Sequence, residues 1–106
     1  MRIPKSFNLA GQTITVEYDD NLTQDTECAG IAKYKVNKIL LQPAGAFRPQ
    51  VHVESTFCHE FTHFLLYYAA SFYKSNSDHL HQDEHLVDMV GQLLHQALIS
   101  MEYEAV

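Results

Sequence analysis

From Thr56 to Tyr73 the chain runs without a single Gly or Pro, and its apolar side is broad: Phe57, Phe61, Phe64, Leu65 and Tyr68. Such a run reads as a helix, and a helix apolar nearly all round is one that the fold buries. Ser55 is a fitting N-cap, with a start near Pro49 as the alternative. Polar Lys74-Ser75-Asn76-Ser77 breaks the run. A second helix is expected from about His79 to Tyr103, capped by Ser77 or Asp78, with Leu80, Val87, Val90, Leu94, Leu98 and Met101 as its apolar stripe.

The first half has the period of strands. Phe7 and Leu9, then Ile14, Val16 and Tyr18, alternate with polar residues on either side of Ala10-Gly11-Gln12, the signature of a hairpin. Asp19-Asp20-Asn21 ends the second strand. Gly30–Lys35 and Lys38–Gln42 read as two further short strands joined by a tight turn at Val36-Asn37. Two of the three prolines, Pro43 and Pro49, bound a loop. The expected fold is α+β: a small N-terminal antiparallel sheet followed by two packed helices. At 106 residues it forms a single domain, residues 1–106, with strands in 1–48 and helices in 49–106.

Composition narrows the function. A hydrophobic fraction of 46% supports a folded core. A net charge of −6 argues against nucleic acid as a partner, because phosphate binding needs a basic face. Charged residues interrupt every apolar run of membrane-spanning length, and Met1–Gly11 lacks the apolar centre of a signal peptide. A cytoplasmic protein without a membrane partner is therefore expected. Cys28 and Cys58 form no C-x-x-C pair and read as two buried reduced thiols, with a thiolate that caps a metal as the alternative. His52 and His95 read as surface or interface histidines.

Inside the long helical run stands His59-Glu60-Phe61-Thr62-His63. Positions four apart share a helix face, so His59 and His63 present two imidazoles to one metal. Glu60 lies beside them as a base for a metal-bound water. A catalytic zinc site needs a third protein ligand, and an antiparallel second helix brings Glu84 back to the imidazoles. Asp88, one turn further on, is placed to accept the free N–H of a ligating histidine. His81 and His85 are rival third ligands.

His-Glu-x-x-His followed by Glu-x-x-x-Asp on a second helix resembles the gluzincin branch of the zincin metallopeptidases. With strands first, the layout is similar to short HExxH proteins of phages and prophages, and more loosely to phage-repressor-cleaving peptidases. The resemblance covers Lys38 to about Gln96. It implies a minimal zincin-like fold, with Zn2+ held by His59, His63 and Glu84 and with Glu60 as general base. Asp88 would support a ligand from behind. The chain departs from the larger gluzincins in having no second subdomain to supply a Tyr or His to the oxyanion. Tyr67, Tyr68, Tyr73, His79 and His81 stand as substitutes.

The expected activity is hydrolysis of a peptide or protein substrate, extended along a strand edge, with Lys38–Gln42 as the edge and a central position for that strand as the alternative. A zinc-binding interaction module of the phage accessory type is the rival function. Its partner would be another protein or a second copy of the chain, and the apolar Phe47, Phe72 and Tyr73 would suit such a surface. A zinc-dependent endoribonuclease is disfavoured by the acidic balance.

Overall fold

The computed structural model describes residues 1–73 and 80–105, with the side chains of Phe72 and Tyr73 outside that description. Ser77, Asp78 and His79, named above as caps or oxyanion donors, also lie outside the described residues.

Strands β1 (Ser6–Leu9) and β2 (Gln12–Tyr18) form the expected hairpin, with Phe7 opposite Ile14. Ala10 and Gly11 both take positive φ, 52° and 74°, the backbone that a two-residue hairpin turn requires. After the Asp19-Asp20-Asn21 turn comes an element the sequence pattern did not announce, the short helix α1 (Leu22–Thr26). It is anchored by Leu22, which is buried. Strand β3 (Gly30–Lys33) then leads through a single 3-10 turn, Tyr34–Val36, into β4 (Lys38–Leu41).

The sheet is mixed, not antiparallel. Its order is β1-β2-β4-β3, with β4 parallel to β2 and antiparallel to β3. A parallel pair needs a long crossover, and the residues between β2 and β4 supply one through α1 and β3. Strand β4 is therefore central, which corrects the expectation that Lys38–Gln42 forms an edge. Burial explains the choice. Ile39 and Leu41 are fully buried, and only the inner slot covers them on both sides. The edge facing the helices is β3.

Helix α2 (Gln50–Tyr73) starts directly after Pro49, so Ser55 is an interior residue and not a cap. Its Val53, Phe57 and Phe64 pack on Ile14, Val16, Ile39 and Leu41 to form the core. Helix α3 (Glu84–Ser100) packs against α2, which accounts for α2 being apolar on more than one side. It begins later than the sequence period suggests. Leu80–Gln82 form a 3-10 turn, and Asp83 caps α3 by accepting from the Leu86 N–H at 3.1 Å. The buried face of α3 is Val87, Gly91 and His95, while Leu80 and Met101 are exposed.

His95 is thus a core residue rather than a surface one. Its Nε2 lies 3.4 Å from Glu54 Oε1, which also accepts from the N-terminal ammonium at 3.1 Å. His52 is exposed as expected. Of the two free thiols Cys58 is buried, but Cys28 is exposed, because it follows α1 in a turn at the surface. Among the described residues no helix is long and apolar enough to cross a membrane.

Candidate metal centre

Helix geometry stacks His59 above His63, with ring centroids 5.0 Å apart. Helix α3 brings its first residue to them. His59 Nε2 lies 3.0 Å from Glu84 Oε2, and His63 Nε2 lies 3.0 Å from Glu84 Oε1. Asp88, one turn along α3, places Oδ1 3.5 Å from His59 Nδ1. The four residues named from sequence pattern on two separate segments therefore meet at one point.

The far nitrogens decide how the near ones behave. His63 Nδ1 is 2.5 Å from the backbone carbonyl of His81, which can only accept, so Nδ1 carries the proton. In the neutral ring Nε2 then presents a lone pair towards Glu84. Asp88 Oδ1 faces His59 Nδ1 at 3.5 Å, an ion-pair distance without the hydrogen bond that holds His63. His59 Nε2 and Glu84 Oε2 sit in hydrogen-bond geometry, so His59 donates to the carboxylate in one tautomer and offers a lone pair to a metal in the other. The spacing suits a metal: ligand atoms on a tetrahedral zinc at about 2.0–2.1 Å lie about 3.3 Å apart, close to the 3.0 Å observed. The residues present could hold a metal ion.

Two carboxylates are near, and they differ. One nitrogen or oxygen atom each of His59, Glu60 and His63, atoms that could hold a metal ion, lie within 4.8 Å of one another. Glu84, however, touches both imidazoles directly and is exposed, whereas Glu60 is 6% exposed. Burial above all pushes the Glu60 carboxyl up to about 7, with the Glu84 charge adding to the shift and His59 opposing it. His63 moves down, mainly through burial, although the His81 carbonyl and Glu84 oppose it. A neutral imidazole is the form that binds metal. Glu84 thus contacts both imidazoles directly, while Glu60 lies buried beside them.

The rival ligands fall elsewhere. His85 is exposed, and among the described residues no hydrogen bond or ion pair ties it to the cluster. His81 turns its ring to Tyr34 and Tyr67, at centroid distances of 5.2 and 5.3 Å, and reaches the centre only through its carbonyl. Of the tyrosines named from sequence, Tyr68 gives its hydroxyl to Asn37 Oδ1, and Tyr67 stacks on Tyr34 at 4.5 Å. The aromatic residue brought to the site is Tyr34 itself, which the sequence pattern did not single out. Its ring meets His63 edge-on, and its hydroxyl is pushed up to about 12 by burial and then by Glu60, Glu84 and Tyr67. Nothing in the sequence marks it, since it sits in a turn between two strands.

Two glycines set the walls. A Cβ on Gly91 would lie 3.0 Å from His59 Cα and 3.2 Å from its N, so the bare backbone of α3 is what lets the two helices meet at His59. A Cβ on Gly30 would lie 2.6 Å from Thr56 Cγ2 and 3.0 Å from Glu60 Cγ. Strand β3 thereby approaches α2 closely, and an open cleft of about 250 Å³ forms, lined by Ala29, Gly30, Thr56, His59, Glu60 and Asp88 among others. No family model matches this chain, and no curated protein or solved structure matches it.

Proposed function

We propose that the chain is a minimal zinc-dependent metallopeptidase of the gluzincin type, with His59, His63 and Glu84 as metal ligands. The observation that carries this reading is the convergence of two imidazole Nε2 atoms, each 3.0 Å from the Glu84 carboxylate, beside the buried carboxyl of Glu60. Bound zinc would lower the pKa of a coordinated water and polarise a substrate carbonyl. Glu60 takes the proton of the attacking water and returns it to the leaving amine. Tyr34, whose ring meets His63 edge-on, is the residue we assign as hydroxyl donor to the developing oxyanion. The Asp88 carboxylate and the His81 carbonyl hold the imidazoles in the ligating orientation. An extended peptide adds to the free edge of β3, which takes the role expected of β4. Free thiols suit a reducing compartment such as the cytoplasm.

Metal content of the purified protein and its variants tests the centre. About one zinc per chain is expected, lost in Glu84→Ala and kept in His85→Ala. Wild-type protein that takes up no metal from added zinc would remove the reading. The rival reading, a zinc-binding interaction module, is favoured by Phe47, whose side chain is fully exposed on the loop before α2. Glu60→Gln separates the two: a peptidase loses turnover and keeps its metal, while a module keeps its binding function.

A further inference from the structure

Beside the metal cleft, an adjoining hollow holds a feature that none of the chemistry above uses. Arg48, in the loop ahead of α2, hangs its guanidinium on the helix. Nη2 donates to Thr56 Oγ1 and, at 3.4 Å, to the His52 carbonyl. Its Nε is enclosed and meets no acceptor, and Arg48 forms no ion pair with any carboxylate among the described residues. An enclosed donor without an acceptor is rare enough in folded proteins to need a reason. Among the described residues, Arg48 is the one lysine or arginine lining the adjoining hollow of about 450 Å³, which Glu27 also lines, and none lines the metal cleft. One end of the guanidinium is fixed, and among the described residues Nη1 makes no hydrogen bond and is not enclosed. That is the state of an arginine prepared for an anion.

Its place relative to the candidate centre limits what the anion is. Thr56, which fixes Arg48, lies one helical turn before Glu60, about 6 Å along the axis. An extended peptide advances about 3.3–3.4 Å per residue, so this spacing corresponds to one or two residues. Strand β3 starts at Gly30, against Thr56 and Glu60, and runs towards Tyr34, which packs on His63 and Tyr67. A peptide paired antiparallel to β3, the more stable pairing, therefore runs from the Tyr34 end to the Arg48 end. Its C-terminal side arrives at the guanidinium.

We infer that Arg48 is a carboxylate-binding subsite in the hollow beside the cleft, selecting peptides that carry a carboxylate one or two residues beyond the bond placed at the metal centre. The inference rests on the metallopeptidase reading for the name of that bond. The carboxylate itself has two sources, the free C-terminus of a short peptide or an Asp or Glu side chain. The hollow beside Arg48, lined in part by Pro43, Ala46 and Phe47, leaves room for the neighbouring apolar side chain.

The test is binding, followed by NMR titration of zinc-treated Glu60→Gln protein, so that no turnover intervenes. Three probes are compared: acetyl-Ala-Ala-Phe with a free C-terminus, the same peptide as its C-terminal amide, and acetyl-Ala-Ala-Glu amide. A preference of about tenfold or more for a carboxylate-bearing probe over the neutral amide is expected, from a charge-assisted pair with a fixed guanidinium. The first probe winning assigns the C-terminus, and the third assigns an acidic side chain. Adding Arg48→Gln should abolish the preference, while Arg48→Lys, which keeps the charge, should retain part of it. Equal binding of acid and amide, binding of no probe, or a preference that survives Arg48→Gln in folded protein would overturn the inference. Zinc content, measured on the same samples, keeps the two proposals apart. Zinc bound without a carboxylate preference refutes the subsite alone, whereas an Arg48-dependent preference in protein that takes up no zinc refutes the metal reading alone.

Discussion

Helix α2 is approached from two sides within one turn of His59, by β3 at Gly30 and by α3 at Gly91, and the two contacts are built differently. At Gly30 the atoms in the way are side-chain carbons of Thr56 and Glu60. At Gly91 they are the backbone of Cys58 and His59. A side chain can turn aside, at the cost of its own contacts; a helix backbone can only be pushed away as a whole. The sheet-side contact therefore adjusts the chemistry around Glu60 locally, while the helix-side contact decides whether Glu84 and Asp88 reach the histidines at all.

Gly91→Ala is the strongest way to test that difference. Alanine in a helix interior ordinarily adds up to about 1 kcal/mol of stability over glycine. Here the methyl group has no room, and overpacking against backbone should outweigh the gain and destabilise by about 1–3 kcal/mol. Zinc affinity should fall at least about tenfold, because separating the helices pulls Glu84 from both imidazoles. A raised melting temperature with unchanged zinc affinity would show that the helix contact is slack.

Asp88→Ala comes next. It leaves the packing alone and removes the group facing His59 Nδ1, so zinc affinity should fall about 10–100-fold with little change in melting temperature. Unchanged affinity would mean that Asp88 is an ordinary exposed carboxylate, as its 59% side-chain exposure also allows.

Gly30→Ala should be smaller in its effect on metal and sharper in its effect on the cleft. Thr56 is β-branched and stiff at χ1, so turning it costs about 1 kcal/mol and breaks its bond with Arg48. Zinc content should hold while any carboxylate preference set by Arg48 disappears. Loss of zinc in this variant would place both glycines in one cooperative unit and end the distinction.

The smallest effect expected lies away from the cleft, where α2 and α3 are tied at Glu54 and His95. Burial alone would raise the Glu54 carboxyl, but hydrogen bonds from the N-terminal ammonium and His95 hold it below its ordinary 4.5. The folded state thus takes up this proton less readily than the unfolded chain. The resulting stability is complete above about pH 4.5 and is lost as pH falls through the lower folded value. Thermal melts of wild type and Glu54→Gln between pH 7 and pH 3 should show the gap narrowing at the acid end; a constant gap would remove Glu54 from the account.

Periodicity made the helices and hairpin legible. The Gly- and Pro-free run and the alternation about Ala10-Gly11 are local patterns, and local hydrogen bonding satisfies them. The order of the sheet was not legible, because Ile39-Leu40-Leu41 reads the same in an edge strand as in a central one until its neighbours are known. The start of α3 was displaced because a 3-10 turn and an Asp83 cap have the same composition as one more turn of helix. His95 was misplaced for a related reason: a histidine on an apolar face gives no sign of the half-buried Glu54 it will meet.

The sequence by itself determined which groups could form a centre. His59 and His63 share a face by the pitch of the helix alone, and Glu84 and Asp88 share another. Only the tertiary structure decided that the two faces meet, that His81 contributes a carbonyl rather than a ring, and that Tyr34 and Arg48 flank the cleft. Pitch is a property of consecutive residues and is fixed by backbone geometry. Convergence depends on how closely two helices and a strand can approach, which two missing methyl groups, at Gly30 and Gly91, permit.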